Sequence, residues 1–385
     1  MPPGRLIVIA AGKAAADMAR AALDHYRPHL DRVSGLVITQ AEPTWDPAPL
    51  VAMTGGHPLP DADSEKAGRA VLHSLEAAKP GDRVLCLLSG GASALMTVPA
   101  GVSLADLQAV SEALLASGTG IGQINTVRSK LCLLKGGGLA RAAAPAAVTA
   151  LLLSDVVGDD PALIGSGPTV ADSTGAGAAL YVLASLGIEV PAVSARLRKL
   201  RTARQPAAAV RADTRVVAGG AASLEAAAGY LTAAGYSSRI LTATETGDSA
   251  AAATRHAHAA RELLRQVTEP VALLSGGETT VRTAGSRGGT GGRNSHFALA
   301  LACEMWGEPA LAALCADTDG LDGNSRAAGA FVTAELYRAG NLEAAREAVR
   351  TRNSGGYLAA LDHAFVTGPT GTNVNDLRVI LLEPT

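Results

Sequence analysis

The chain of 385 residues carries 33 lysine and arginine residues against 35 aspartate and glutamate residues, a formal net charge of −2. This balance offers no general attraction for nucleic acid or anionic lipid, and an aromatic content of 3% leaves few rings for stacking on bases. No apolar run approaches the roughly 18 residues of a membrane span, and the N-terminus lacks the features of a signal peptide. The four cysteines show no CxxC pair and no metal-ligand spacing. We therefore expect a reduced, cytoplasmic protein that binds neither nucleic acid nor membrane.

Short runs rich in Val, Ile and Leu recur along the chain, and each is followed by glycines or small polar residues and then by an alanine-rich stretch. Continuous apolar strands that alternate with helices are typical of a parallel sheet covered on both faces. The predicted strands are Leu6–Ala10, Gly35–Thr39, Arg83–Leu88, Val148–Leu153, Thr214–Ala218, Ser238–Thr242, Val271–Leu274 and Leu311–Ala316. Helix propensity predicts helices most clearly over 13–23, 221–234 and 249–265.

A basic stretch that ends in proline, 196–206, separates two series of such units. It is a solvated helix end with a linker or, alternatively, a basic patch that attracts phosphate. We predict an α/β protein of two domains, 1–205 and 206–385. Each domain is expected to contain a parallel or mixed sheet sandwiched by helices, with a small-molecule site in the cleft between them.

Glycine-rich loops follow three of the predicted strands. They contain Gly12 and Lys13, the segment 89–93 with the sequence SGGAS, and the segment 275–278 with the sequence SGGE. Ligands of doubly wound sheets bind beyond the carboxyl ends of the strands, where backbone N–H groups and helix N-termini favour phosphate. Any one of these loops could be an ordinary tight turn. Three together favour a phosphate ligand.

Some common enzyme motifs are missing. No segment matches the phosphate loop GxxxxGK[ST], a strand-end GxGxxG or the hydrolase elbow GxSxG. This disfavours an ordinary nicotinamide site and a serine hydrolase.

Charged residues also gather near predicted strand ends and glycines. Carboxylates at 155–160 could hold a hydrated Mg²⁺ or merely cap a turn, and the segment 316–323 resembles part of a Ca²⁺ loop without its distal glutamate. Arg293 stands alone in the glycine-rich loop 288–294, and His57 either contacts substrate or packs its loop. His256 and His258 are predicted to lie solvated on an exposed helix. Together these features favour phosphoryl transfer, in which positioning and electrostatics provide most of the catalysis.

Collinear motifs along nearly the whole chain resemble the class II glycerate kinases. In the first half they are GKAAADMA at 12–19, GGHPLPD at 55–61, LLSGGASAL at 87–95, INTVRSKL at 124–131, KGGGLA at 135–140, LSDVVGDDP at 153–161 and GSGPT at 165–169. In the second half LSGGETTV at 274–281, GGRN at 291–294, TDGLDG at 318–323, AAGA at 327–330 and TGPTGTNVNDL at 367–377 resemble the MOFRL domain of that family, over about 271–380.

The resemblance implies an ATP-dependent glycerate 2-kinase that converts D-glycerate to 2-phosphoglycerate with Mg²⁺, as a monomer or homodimer. The family's essential lysine and arginine fall on Lys13 and Arg293. The expected ATP-binding residues are Ser89, Gly90, Gly91, Ser93, Lys135, Gly136 and Gly137. The expected substrate-binding residues are His57, Arg128 and Asn375, and the expected Mg²⁺ ligands are Asp155 and Asp319.

The chain departs from the family pattern at several positions. Arg326 replaces an expected acidic residue, and Ser295-His296 follows GGRN where Gln/Thr-Glu is commoner, which bears on metal affinity and substrate. The first strand starts almost at Met1, so a longer native N-terminus is one expectation. Two alternatives are an NAD(P)-dependent hydroxypyruvate reductase, which needs a dinucleotide fingerprint, and a catalytically inactive metabolite-binding relative.

Overall fold

The computed structural model describes residues 2–202, 210–281 and 289–384. They form two compact units, one with the described residues up to 154 and from 159 to 217, the other with 155–158 and those from 218 onward. The predicted domain boundary at 205/206, the end of the basic stretch 196–206 and the start of the loop 288–294 lie outside the described residues.

A six-stranded sheet with the order β3-β2-β1-β4-β5-β6 forms the centre of the first unit. Its strands are β1 (Leu6–Ala11), β2 (Val33–Thr39), β3 (Val51–Thr54), β4 (Arg83–Leu88), β5 (Ala147–Leu153) and β6 (Ala212–Ala218). The pairings from β3 to β5 are parallel. Because the order reverses between β1 and β4, the carboxyl ends of these two strands form the switch point at which such sheets bind ligands.

The helices of the first unit cover this sheet and extend into a second core. They are α1 (Ala15–His25), α2 (Ala62–Glu76), α3 (Ala92–Leu95), α4 (Leu104–Ala116), α5 (Ile121–Arg128), α6 (Gly138–Ala142), α7 (Ala176–Ser185) and α8 (Pro191–Thr202). All six residues of β1 are buried, as a strand covered on both faces requires. Ala15, Ala19 and Leu23 of α1 pack on one face of the sheet, whereas α4, α5, α7 and α8 share a separate apolar cluster.

The second unit also contains a six-stranded sheet, with the order β11-β10-β9-β12-β8-β7. Its strands are β7 (Ser237–Asp248), β8 (Val271–Thr280), β9 (Leu311–Asp317), β10 (Gly329–Val332), β11 (Ala364–Phe365) and β12 (Asp376–Leu382). Only β7 and β8 pair in parallel, so this sheet is mixed. The predicted fold class, two α/β domains with parallel or mixed sheets, is confirmed.

Helices α9 (Gly220–Ala233), α10 (Ser249–Leu264), α11 (Arg293–Glu304), α12 (Ala334–Ala339), α13 (Leu342–Arg350) and α14 (Ser354–Ala360) belong to the second unit. Helix α11 is the central one, since nine consecutive residues from Asn294 to Ala302 are buried. It packs against α10 and the sheet in the main apolar cluster of the unit. Across the described part of the chain, every helix is too short or too polar to cross a bilayer.

The prediction for His256 is wrong. Its ring is 3% exposed on the inner face of α10. Nδ1 donates to the Ala252 carbonyl oxygen at 2.8 Å, so Nε2 accepts from the Ser275 hydroxyl at 2.8 Å. The ring also packs edge-on against Phe297, with centroids 5.0 Å apart. Burial and this fixed tautomer make His256 a core residue, and burial lowers its pKa.

Candidate active site

Two strand-end loops of the first unit are hydrogen-bonded to each other at the switch point. The Lys13 N–H donates to the Gly90 carbonyl oxygen at 2.8 Å, and the Ala14 N–H donates to Ser89 Oγ at 3.0 Å. Gly12 has φ +127°, and a Cβ there would lie 2.2 Å from Ser89 Oγ. Only glycine fits this approach, which holds Lys13 beside the Ser89–Ser93 loop.

His57 lies against the same loop. A Cβ on Gly91, which has φ +87°, would lie 3.2 Å from His57 Cδ2. Burial lowers the pKa of His57, and the nearby charges of Lys13 and Arg128 lower it further. The structure therefore brings three predicted residues, Lys13, His57 and Arg128, close enough for their charges to interact.

Arg128, which is half-buried, and Lys135, which is buried, are cations close to these residues. Arg128 Nη2 is buried and lacks a hydrogen-bond partner, and burial lowers the pKa of Arg128. Lys135 is 4% exposed, and its Nζ donates to Thr97 Oγ1 at 3.1 Å. Burial lowers the pKa of Lys135; a negative charge on Cys132 would oppose this shift, and Arg128 adds to it. Among the residues described, no carboxylate forms an ion pair with Arg128 or Lys135, so an incoming anion would compensate both.

A chain of three polar side chains lies beneath the Ser89–Ser93 loop. Ser93 Oγ and Ser166 Oγ are 2.8 Å apart. Ser166 Oγ donates to Asn125 Oδ1 at 2.7 Å, and Asn125 Nδ2 donates to the Leu163 carbonyl oxygen at 3.0 Å. Ser166 holds a left-handed backbone with φ +63°. This links the predicted ATP-binding residue Ser93 to the loop of the GSGPT motif.

The predicted glycines of the KGGG motif pack against the same loop. The Gly136 N–H donates to the Ser166 carbonyl oxygen at 3.0 Å, and the Gly137 N–H donates to the Gly167 carbonyl oxygen at 2.7 Å. In this conformation both N–H groups are engaged within the protein. The cation that this segment offers to a ligand is therefore the Lys135 side chain.

In the second unit, Arg293 is surrounded by carboxylates at the first position of α11. Its Nε donates to Asp376 Oδ1 at 2.8 Å, its Nη2 to Asp317 Oδ2 at 2.5 Å, and its Nη1 lies 3.3 Å from Glu278 Oε1. Burial disfavours its charge, but Asp376, Glu278 and Asp317 outweigh burial and raise the pKa of Arg293. The guanidinium is permanently charged and 23% exposed, with three acidic neighbours.

Sheet register explains this convergence. Asp376 on β12 lies opposite Asp317 on β9, and residues opposite one another share a face of the sheet. The fully buried Arg378 lies two residues further along β12, on the same face, where its guanidinium donates to Asp376 Oδ2 and to the Gly276 carbonyl oxygen. Burial raises the pKa of Asp317 to about 7, with Asp319 and Asp376 adding to the shift and Arg293 opposing it.

Glu278, Asp317 and Asp376 were not predicted as partners of Arg293, nor was Arg378 predicted as a partner of Asp376. Their motifs were visible as SGGE, ADTDG and NDLR, and the spacing of Asp376 and Arg378 puts both on one face of a strand. The sequence does not show that β12 pairs with β9 and β8, and this pairing brings these side chains together.

A cavity of about 540 Å³ lies beside Arg293 in the second unit. Its lining includes Glu278, Arg293, His296, Asn324 and Arg352. Both residues of the unusual Ser295-His296 pair have hydrogen-bond partners within the protein. Ser295 Oγ donates to Asp322 Oδ2 at 2.6 Å, and His296 Nδ1 lies 3.0 Å from Ser354 Oγ. Arg326, the other departure, is exposed.

The remaining predicted residues belong to the second unit. Asn375 is buried with φ +69°, and its carbonyl oxygen accepts from Thr318 Oγ1 at 2.7 Å. Asp319 Oδ1 accepts from the Leu321 N–H at 2.9 Å. Asp155 lies two residues after the end of β5 and groups with this unit. In residues 2–202, 210–281 and 289–384, no three His, Cys, Asp or Glu side chains are arranged to hold a metal ion.

Comparison with known proteins gives matches over both halves of the chain. Residues 2–202 match the family described as a domain of unknown function, DUF4147, and residues 271–376 match the MOFRL family. A protein of Agrobacterium vitis, provisionally named a hydroxypyruvate reductase, is 40% identical over 99% of this chain and 88% of its own length. D-glycerate 2-kinase of Thermotoga maritima is 35% identical over 98% of this chain and 91% of its own. A crystal structure of glycerate kinase from Thermotoga maritima superposes with a TM-score of 0.87 at 34% identity, covering 98% of this chain and 92% of that one.

Proposed function

We propose, on the premise that this chain belongs to the glycerate kinase family with its DUF4147 and MOFRL domains, that it phosphorylates D-glycerate on the 2-hydroxyl at the expense of ATP. The chain is a phosphotransferase with an alcohol group as acceptor. The products of the proposed reaction are 2-phosphoglycerate and ADP.

Two cations of the first unit, the half-buried Arg128 and the buried Lys135, carry this proposal. Arg128 has a buried nitrogen without a hydrogen-bond partner, and Lys135 is 4% exposed with a hydroxyl as its hydrogen-bond partner. Burying charge without a compensating anion is unfavourable, and an anionic ligand bound beside these two cations would offset that cost. ATP and glycerate are both anions.

The geometry supports a division of roles. Lys13 at the β1 turn, the loop Ser89–Gly91 and Lys135 would contact the phosphates of ATP, because they lie at the switch point where doubly wound sheets bind nucleotides. His57 and Arg128 would hold the glycerate carboxylate, which a guanidinium grips through two parallel hydrogen bonds. Arg293 would stabilise the charge on the transferring group, and Asn375 would contact substrate. In phosphoryl transfer such positioning and charge stabilisation account for nearly all of the catalysis.

The carboxylates suit the divalent ion that the reaction uses. Asp155 and Asp319 offer hard oxygen donors, and Mg²⁺ keeps several waters and takes one or two protein carboxylates. When bound, Mg²⁺ would offset the negative charge of the phosphates. The protein's own part is to hold these oxygens at a strand end.

The test is an assay of ADP release with ATP, Mg²⁺ and D-glycerate, followed by phosphorus NMR of the product. We expect glycerate-dependent ADP release and a phosphate ester on the 2-hydroxyl. A 3-phosphate ester would contradict the position of transfer. ADP release at the background rate would contradict the kinase assignment and favour an inactive metabolite-binding protein.

A further inference from the structure

The direction of the hydrogen bonds around Ser166 is fixed by Asn125. The amide nitrogen of Asn125 must face the Leu163 carbonyl oxygen at 3.0 Å, because two oxygens would repel there. Its amide oxygen therefore faces Ser166, and an amide oxygen can only accept. Ser166 must donate its single hydroxyl proton to Asn125 Oδ1 at 2.7 Å.

The same reasoning fixes the proton of Ser93. The two serine oxygens are 2.8 Å apart, and the Ser166 proton is already used, so Ser93 donates to Ser166. The chain of bonds ends at an amide, which cannot take up a proton, so it is not a proton relay. Its effect is to hold the Ser93 proton inward and to leave the lone pairs of Ser93 Oγ for other groups.

The backbone conformation of Ser166 indicates that the hydrogen bonds between Ser93, Ser166 and Asn125 have a function. Ser166 has φ +63° between Gly165 at +58° and Gly167 at +61°. A left-handed non-glycine residue is uncommon and costs energy, and such residues concentrate at functional sites. A glycine would relieve the cost, but it would lose the hydroxyl that holds the Ser93 proton.

Ser93 is half-buried and lies two residues after Gly91, which packs against His57. A serine whose proton is committed inward cannot donate to a phosphate oxygen, and its lone pairs attract a donor. We propose that Ser93 Oγ accepts a hydrogen bond from a hydroxyl group of the acceptor substrate. This rests on the proposed function and replaces the expected role of Ser93 in phosphate binding.

The neighbouring cations favour the acceptor over the ribose of ATP as the source of that hydroxyl. His57, in the field of Lys13 and Arg128, lies beside the same loop. A 2-hydroxy acid carries its hydroxyl on the carbon next to its carboxylate. One ligand can therefore satisfy the cations and the Ser93 lone pair together.

The first experiment is steady-state kinetics of Ser93→Ala. We expect the KM for D-glycerate to rise about three- to tenfold, the effect of one lost hydrogen bond, while the KM for ATP changes less than twofold. Ser185→Ala is the matched control, since that hydroxyl only bonds its own helix at the Val182 carbonyl oxygen. An increase confined to the KM for ATP would overturn the proposal, as would unchanged KM values.

The second experiment tests the fixed proton with Ser166→Gly, which suits the left-handed backbone. This variant frees the Ser93 proton, so the KM for D-glycerate should rise, by no more than in Ser93→Ala. The double variant should match Ser93→Ala within about twofold, because both changes remove the same interaction. If the increase in KM of the double variant equals the product of the two single increases, the inference that Ser166 acts through Ser93 is overturned.

D-Lactate, which lacks the 3-hydroxyl, shows which hydroxyl is bound when it is used as a competitive inhibitor. If the inhibition constant of D-lactate rises in Ser93→Ala by the same factor as the KM for D-glycerate, Ser93 binds the 2-hydroxyl. If the inhibition constant stays unchanged, Ser93 binds the 3-hydroxyl. Wild-type protein that releases no ADP with D-glycerate overturns the proposed function and this inference together. Active wild-type with an unaffected Ser93→Ala variant overturns this inference alone.

Discussion

Arg293 has a structural role in addition to the catalytic role proposed for it. Its guanidinium contacts Asp317, Asp376 and Glu278, and Asp376 is also held by the buried Arg378. Two of these carboxylates are almost inaccessible to water, so the arginine compensates charges that solvent cannot reach. Lys13 differs, because it lies in a glycine-rich loop and is only partly buried.

This difference predicts distinct outcomes for the two alanine variants. Lys13→Ala should lose at least 10²–10³ in kcat and remain folded, whereas Arg293→Ala should lose as much kcat and about 3–5 kcal/mol of unfolding free energy. Arg293→Lys should recover part of the stability and little of the activity, because an ammonium cannot make the forked contacts. The measurements are kcat and urea unfolding.

The matched controls are Lys66→Ala on α2 and Arg338→Ala on α12, both of exposed residues. Each should leave kcat unchanged and stability within about 0.5 kcal/mol. Near-normal turnover of a folded Lys13→Ala or Arg293→Ala variant would contradict the catalytic role of that residue.

His57 predicts a pH dependence of stability. Its pKa in the folded protein lies below 6.5 because of burial, Lys13 and Arg128. Between that pKa and 6.5 the unfolded chain binds more protons than the folded one. The contribution of His57 to stability is thus complete above pH 6.5 and is lost as the pH falls through this window. We expect wild-type protein to lose stability more steeply than His57→Gln between pH 7 and 5 in urea unfolding.

Titration of the His57 ring by NMR provides the complementary measurement. Lys13→Met removes one neighbouring positive charge and should raise the pKa of His57, while Lys66→Met should leave it unchanged. A pKa of His57 that does not respond to Lys13→Met would contradict the interaction between the charges of Lys13 and His57.

Strand ends and glycine turns are visible in the sequence, and they indicated the loops that contain Lys13 and His57. The ligand-binding roles of Lys13, Arg128 and Lys135 came from the family resemblance. The partners of Arg293 were not predictable in this way. Asp317 and Asp376 meet only because β9 and β12 are adjacent and antiparallel, and residue order does not reveal which distant strands pair. Of the predicted roles, none is tested by the structure itself, and all remain predictions.

At the scale of elements, α11 depends on a cap supplied by a distant loop. Asp322 accepts from the N–H groups of Gly292, Asn294 and Ser295 at 3.0, 2.9 and 2.8 Å. These are donors that a helix start leaves without intrahelical partners. Since Arg293 is the first residue of α11, the cap also fixes the guanidinium.

Asp322→Ala should therefore lower both stability and activity. We expect a loss of about 2 kcal/mol of unfolding free energy, at the upper end for caps because the site is buried, and at least a tenfold lower kcat. Asn341→Ala, which removes the cap of α13 at the Ala344 N–H, is the control and should cost about 1 kcal/mol without changing kcat. Equal effects of the two variants on kcat would contradict a link between the Asp322 cap and Arg293.

The apolar runs predicted eight strands that overlap β1, β2 and β4–β9, most clearly where a strand is buried on both faces and is therefore continuously apolar. Strands β7 and β8 extend beyond the predicted runs, and residues 275–278, predicted as a loop, belong to β8. The short strands β3, β10 and β11 provide too few residues for such a signal, whereas β12 is seven residues long and was missed all the same. In α10, alanines lie both on the buried face and outside it, so the two faces differ little in hydrophobicity. This explains why His256 was predicted to be solvated when it is in the core.

At the scale of the whole molecule, one fold carries relatives with two different names, a glycerate 2-kinase and a provisional hydroxypyruvate reductase. Both cover nearly the entire chain, and the solved structure that superposes on it is that of a glycerate kinase. The site residues give a further argument about the reductase name, because function depends on the site and not on the fold alone. A reductase needs a surface for a dinucleotide, with a glycine fingerprint after a strand and an acid about 20 residues on to hold a ribose. This chain has at its β1 and β4 ends the loops with Lys13 and Ser89–Ser93, together with cations that suit phosphate and carboxylate groups.

We therefore expect no oxidation of NADH or NADPH by this protein with hydroxypyruvate, measured as loss of nicotinamide absorbance against a control without enzyme. With ATP and D-glycerate the same preparation should release ADP, and EDTA should abolish that release, because the transferring phosphoryl group needs Mg²⁺ to offset its charge. Restoring excess Mg²⁺ should restore the activity and so exclude damage by the chelator. Nicotinamide oxidation above the control would contradict the kinase assignment, while ADP release that survives EDTA would contradict the metal requirement alone.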